Sequence, residues 1–232
     1  MSSPVPPDSL QKALVVVTAV TGIVDAVAFL GLGQIFTAFM TGNLLFLGFA
    51  LAGGEGLEPL GSATALAAFI AGVVAGSRLG VALAVERYRR WLFTSASVAA
   101  ALLVAAALTA IGLDTGTGRE PGTRHYAVIA LTALAMGVRS ATMWRLRAGL
   151  NTTLVTGTLI TWIRTSALGG GTGGGGQRYR AAALLAVPAG AAIGTLLLRL
   201  SVTAALLTAA AGVLGGIGGH LLRPAPRHPP GA

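Results

Sequence analysis

Gly22-Ile-Val-Asp25-Ala-Val-Ala-Phe-Leu-Gly31-Leu-Gly33-Gln-Ile-Phe-Thr-Ala-Phe-Met-Thr41-Gly42-Asn43 sets one carboxyl, a glycine break and a small polar cluster inside apolar sequence. In such surroundings every polar group needs a partner or a purpose, because burying it bare is costly. The apolar residues on either side decide the fold class. Hydrophobic residues make up 54% of the 232 and charged residues 10%, and mean hydropathy is +0.78. A soluble domain carries about 25% charged residues, so this chain cannot cover a water-facing surface. Apolar runs of about the 20 residues needed to span a bilayer recur throughout. The expected fold is an all-α polytopic membrane bundle, since period-2 alternation suited to a barrel is weak.

Working outward, eight apolar segments are expected at 12–32, 35–53, 60–84, 91–113, 125–144, 150–168, 181–198 and 201–222. Residues 1–11, with three prolines, read as a disordered tail, and the proline-rich basic residues 223–232 as another. The start has no positive region before its first apolar run, so the first segment is expected to be retained. A single offset of 115 residues aligns Gly22 with Gly137, Thr41 with Thr156 and Gly42 with Gly157. It also sets Asp25 opposite Ser140 and Asn43 opposite Thr158, while Gly72 and Gly76 meet Gly190 and Gly194 at 118. The chain therefore divides into a first membrane repeat (12–113), a loop (114–124) and a second repeat (125–222).

Charge placement discriminates between topologies. If all eight segments cross, the 16 Lys and Arg divide evenly between the two sides. If 35–53 and 150–168 enter and leave on one side, the division is 13 to 3, with Arg119, Arg124 and Arg199 on the poor face. The positive-inside rule favours the second arrangement: six spans, two re-entrant or broken segments and cytoplasmic termini. Three spans per copy turn the second copy upside down, as in secondary transporters built from inverted repeats. Thr41-Gly42-Asn43 and Thr156-Gly157-Thr158 are then expected to face each other at a central site.

Asp25 is the leading candidate for an ionisable centre, because intramembrane carboxyls commonly mark ion, proton or solute sites. Its structural alternative is capping a helix break. Arg139 falls one residue before Asp25's counterpart, Ser140; it either joins the same site or snorkels to the interface. The inverted arrangement separates Asp25 and Arg139 by roughly 10 Å in depth, at 1.5 Å per residue, which argues against a direct pair. The Gly-x-x-x-Gly pairs at 72/76, 76/80, 190/194 and 212/216 suit close helix contact, including contact between copies of the chain. Trp91, Trp144 and Trp162 are placed as interfacial belt residues, and His125, His220 and His228 as isolated interfacial groups. Gly169 to Gly176 lacks the ending of a phosphate loop. No cysteine, metal-ligand cluster or nucleophile–base set is visible, so neither a metal, a cofactor nor enzymatic activity is expected. The net charge of +9 lies in short loops, pointing to anionic lipid rather than nucleic acid.

The motifs Gly22-Ile-Val-Asp25-Ala26, Phe39-Met40-Thr41-Gly42-Asn43, Leu47-Gly48 and Thr152-Thr153-Leu154-Val155-Thr156-Gly157-Thr158-Leu159 resemble the YoaK-like family of bacterial polytopic membrane proteins, defined by a domain of unknown function. The resemblance covers nearly the whole chain. It implies a multispanning inner-membrane protein with no established substrate. It also implies an amide pair where this chain carries Arg139-Ser140. The sequence-level expectation is a transporter or channel for a small solute. The alternative is a non-transporting scaffold or a module binding lipid or protein through its basic cytoplasmic loops.

Overall fold

The computed structural model describes residues 7–54, 59–83, 88–113, 121–146, 155–173 and 176–222. Among them lie eight α-helices and no strand: α1 (Asp8–Gly31), α2 (Met40–Leu51), α3 (Pro59–Leu83), α4 (Tyr88–Thr109), α5 (Thr123–Leu146), α6 (Val155–Thr165), α7 (Gln177–Leu198) and α8 (Val202–Leu221). Six are long and apolar enough to cross a membrane. The protein is thus a polytopic helical membrane protein. The two shorter helices, of 12 and 11 residues, extend only roughly 18 Å and 16 Å at 1.5 Å per residue, against a hydrocarbon core of roughly 30 Å. Helix α1 starts at Asp8, so residues 8–11 are helical rather than part of the expected disordered tail. Leu10 and Gln11 are buried, which explains their order.

Contacts at the helix ends and at glycines give each helix its direction. Asp8 pairs with Arg178 at 2.8 Å at one end of α1 and α7, and Gly194 lies against Ile23 and Ala26 further along; α1 and α7 are parallel. Ser9 bonds His220 at 2.9 Å, Gly216 faces Val16 and Gly212 faces Val20, so α8 runs against α1. Arg89 donates to the carbonyl of Leu221 while Thr203 donates to that of Ala107, so α4 runs against α8. Arg124 donates to the carbonyls of Thr109 and Ile111, making α5 antiparallel to α4. Finally, Gly72 approaches Leu134, Gly76 approaches Val138 and Gly80 approaches Arg145, making α3 and α5 parallel. Helices α1, α4 and α7 therefore run one way and α3, α5 and α8 the other. Eight successive full crossings would have given α1 and α5 the same direction; they are opposed.

Burial follows the same pairing. Of the apolar windows of α1 and α5, 72% and 61% lie inside, against 17% and 22% for α3 and α7. Helices α1 and α5 are central, whereas α3 and α7 turn Ile70, Val74, Leu185 and Leu196 outward. Each central helix packs on the outer helix of the other half, α1 on α7 and α5 on α3. The two sequence copies are interleaved rather than side by side, so 12–113 and 125–222 are not separate bodies. Without a hydrophobic force between helices in lipid, close backbone approach has to supply attraction. Glycines provide it: a Cβ on Gly190 would lie 1.9 Å from the Ala19 carbonyl oxygen, and one on Gly137 2.2 Å from that of Phe69. The Gly-x-x-x-Gly faces thus make the expected close helix contact, with helices of the same chain. Trp91 is another correction. It is 2% exposed and packs in the core, while Trp144 faces outward as a belt residue would. His220, expected to be isolated, is tied to Ser9.

Candidate functional site

Asp25 lies on α1, 5% exposed, six residues before the helix ends. Beyond Gly31 the chain breaks: Gly33 adopts φ +107° and Gln34 φ +58°, and helical structure resumes only at Met40. Residues 32–39 fold back along α1 to Asp25, roughly 9 Å from its end at 1.5 Å per residue. There the carboxyl Oδ1 accepts from the Thr37 amide at 2.7 Å, the Thr37 hydroxyl at 2.8 Å and the Ala38 amide at 3.0 Å. The preceding amide, of Phe36, donates to Asn43 Oδ1 at 2.9 Å, and Asn43 Nδ2 returns a bond to the Phe36 carbonyl at 2.6 Å. Two side chains thereby satisfy three consecutive amides that have left the helix. Non-helical backbone survives at membrane depth only where its polar groups are satisfied by protein or water.

Gly42 completes this arrangement, since a Cβ there would lie 2.6 Å from the Phe36 ring. That ring stacks on Phe29 and Phe46 at centroid distances of 5.2 and 6.0 Å. Gly42 and Asn43 therefore hold the break in place, one by leaving room for the ring and the other by bonding its backbone. Asn43→Leu, which keeps the volume and removes both bonds, is expected to destabilise the protein by about 2–4 kcal/mol. Thermal unfolding in detergent checks this; an unchanged midpoint would show the break to be held otherwise.

Asp25 Oδ2 is buried and has no hydrogen-bond partner among the described residues. Arg139 is 3% exposed and reaches from α5 to α1, so it does not snorkel. Its Nη1 donates to the Val17 carbonyl at 2.8 Å, its Nη2 to the Thr21 hydroxyl, and its Nε has no partner among the described residues. Val17, Thr21 and Asp25 succeed one another at intervals of four on one face of α1. Arg139 thus docks one turn away from Asp25, closer than the expected offset in depth, and forms no ion pair with it. Ser140 Oγ is buried and also without a partner among the described residues.

The expected meeting of the two Thr-Gly motifs does not occur. Helix α2 packs on α3 and α6 on α7, and they do not touch each other among the described residues. Thr41, Thr156 and Gly157 are exposed, whereas Thr158 is buried. The reason is geometric: α2 and α6 leave the bundle from opposite ends of the interleaved halves. Residues 147–154, which include Thr152 and Thr153, lie outside the described residues. Sequence reading missed Thr37 and Thr21 as polar partners. The spacing of Thr21 from Asp25 was the one available signal for any of them. Most other hydroxyls bond a carbonyl in their own helix, as Thr18 does to Leu14 and Thr132 to Val128.

Residues 13–218 match the family described as Protein of unknown function (DUF1275). A relative in Bacillus subtilis (strain 168), the UPF0700 transmembrane protein YoaK, is 34% identical over 139 residues, or 60% of this chain and 59% of that protein. The aligned part thus spans less than two thirds of the relative. No solved structure matches.

Proposed function

The chain belongs to the DUF1275 family of membrane proteins, and we propose that within it this protein is a transporter or channel for a small solute, with Asp25 as its ionisable centre. The observation that carries the reading is the bare, buried Oδ2 of Asp25. Oδ1 fixes the break, and Oδ2 is left to hold a proton or to meet a donor from a solute. An intramembrane carboxyl so placed is a functional site by default. The opposed directions of α1 and α5, with α2 and α6 leaving from opposite ends, support reading the two copies as inverted repeats. Arg139 lies next to this centre, on the crossing of α1 and α5. Among the described residues the end of the bundle holding Arg124 and Arg199 is poor in basic groups. By the positive-inside rule that end faces away from the cytoplasm, in the inner membrane of a bacterium.

Reconstituted protein is expected to show pH-dependent flux of one member of a small-solute panel, abolished by Asp25→Asn. The amide keeps an acceptor for Thr37 and Ala38, so the variant should remain folded and monodisperse. Flux at the wild-type level in Asp25→Asn would remove Asp25 from the mechanism.

A second reading, a scaffold or a lipid-binding module, is favoured by one observation: Asp25 Oδ1 and Asn43 are both committed to the backbone of the break. On that reading Asp25 serves stability alone. The working surface is then the basic end carrying Arg89 and the exposed Arg90. Neutralising Arg87, Arg89 and Arg90 would then weaken binding to anionic vesicles and leave the fold intact.

A further inference from the structure

Helices α1, α4, α5 and α8 border a partly open pocket with room of about 10 Å³, lined by Arg139, Ser95 and Thr142 with apolar walls that include Val17, Leu92 and Val213. That volume admits one water-sized particle. Two of its polar liners are more than nine-tenths buried and carry an atom without a hydrogen-bond partner among the described residues: Arg139 Nε and Ser95 Oγ. The third, Thr142, directs its hydroxyl proton to the Val138 carbonyl at 2.9 Å. Buried donors left bare cost free energy, and two of them on residues that line one pocket call for an occupant that accepts.

Charge selects among occupants. Arg139 carries a permanent positive charge, and its bonded partners are a neutral carbonyl and a neutral hydroxyl. The nearest carboxyl, Asp25, attracts it from beyond ion-pair distance and gives Oδ1 to Thr37 and Ala38, so no anion touches the guanidinium. A buried charge is stabilised by a partner of opposite sign at hydrogen-bond distance. A water could accept from Nε and Oγ, but it would turn its own protons toward mostly apolar walls. A monatomic anion needs only donors and neutralises the guanidinium. We propose that this cavity binds a single halide-type anion, chloride under cellular conditions, between Arg139 Nε and Ser95 Oγ. The site is independent of transport, and its test needs no flux.

Full-length protein in nanodiscs should show a thermal midpoint that rises saturably with sodium chloride or bromide. Sodium gluconate at the same ionic strength, whose anion is too large for the cavity, should leave it unchanged. Equal midpoints in chloride and gluconate would overturn the proposal. Ser95→Ala removes one donor and should weaken the halide midpoint about tenfold, the size of one such hydrogen bond. Ser95→Val also fills the void and should abolish the halide response. Should Ser95→Val fail to fold, Ser95→Ala decides, and an unchanged halide midpoint in it counts against the site. Crystals grown in bromide should give an anomalous peak between the two side chains; density for a water alone, with no anomalous signal, would sink the idea.

Discussion

Gly190→Val is expected to prevent assembly of the bundle, as is Gly137→Val at the contact of α5 with α3. A Cβ on Gly190 would stand 1.9 Å from the Ala19 carbonyl oxygen and 2.7 Å from its carbon, so the obstacle is backbone. The facing helix cannot yield by changing a rotamer; α7 would have to move away from α1 along the whole contact. Overpacking a core typically costs about 1–3 kcal/mol even when side chains can shift, so a rigid clash should cost at least about 3 kcal/mol. Gly22 and Gly72 face the same obstacle from the partner helix, with carbonyl oxygens 2.2 Å from the added carbon. All four valine variants should aggregate or lose their monodisperse peak on size exclusion. Gly215→Ala and Gly218→Ala, where nothing lies within 4 Å, should instead be neutral or gain up to about 1 kcal/mol from helix propensity. A monodisperse Gly190→Val protein of ordinary stability would show that α1 and α7 do not pack this closely.

Removing the Asp25 side chain should have an effect of comparable size for a different reason. Asp25→Ala leaves the Thr37 amide, the Thr37 hydroxyl and the Ala38 amide without their acceptor in a buried site. A buried donor left unsatisfied costs about 1–3 kcal/mol, so losing the acceptor of three should cost at least about 3 kcal/mol, whereas Asp25→Asn, which keeps a carbonyl oxygen in place, should cost about 1 kcal/mol. Thermal unfolding of the two variants in detergent measures the gap. The break itself should respond: a cysteine at position 36, in this cysteine-free chain, is expected to label with a water-soluble maleimide in the Asp25→Ala background and to resist it in wild-type. Equal stability of the alanine and asparagine variants would show that Oδ1 does not hold the break. The contrast also separates the two roles of one carboxyl, since Oδ1 governs folding and Oδ2 is the atom proposed to act.

Much of the architecture was legible because it follows from solvent. Few charges and long apolar runs leave lipid as the surroundings, and the uneven division of Lys and Arg sets apart six spanning segments from two that do not cross. The 115-residue offset was legible too, since matched glycines reappear wherever one packing geometry is used twice. Asp25 announced itself as a carboxyl among Val and Ala. The identity of its partners did not, because the bonds run to backbone amides twelve and thirteen residues on, and amides carry no signature in sequence. The Thr-Gly motifs misled for a related reason. Matched positions fix matched conformations, but α2 and α6 rest on different outer helices, α3 and α7, so similarity did not bring them together.

Sequence by itself determined the solvent, the helical class, the number of spans and the places where a helix must stop, because these depend on local polarity, length and backbone permissiveness. The tertiary structure alone decided which helix packs on which. Interleaving α1 with α7 and α5 with α3 depends on backbone approaching backbone across distant sequence. That same interleaving draws Arg139 onto Val17 and Thr21, forms the pocket at Ser95 and fits the break of residues 32–39 against Asp25.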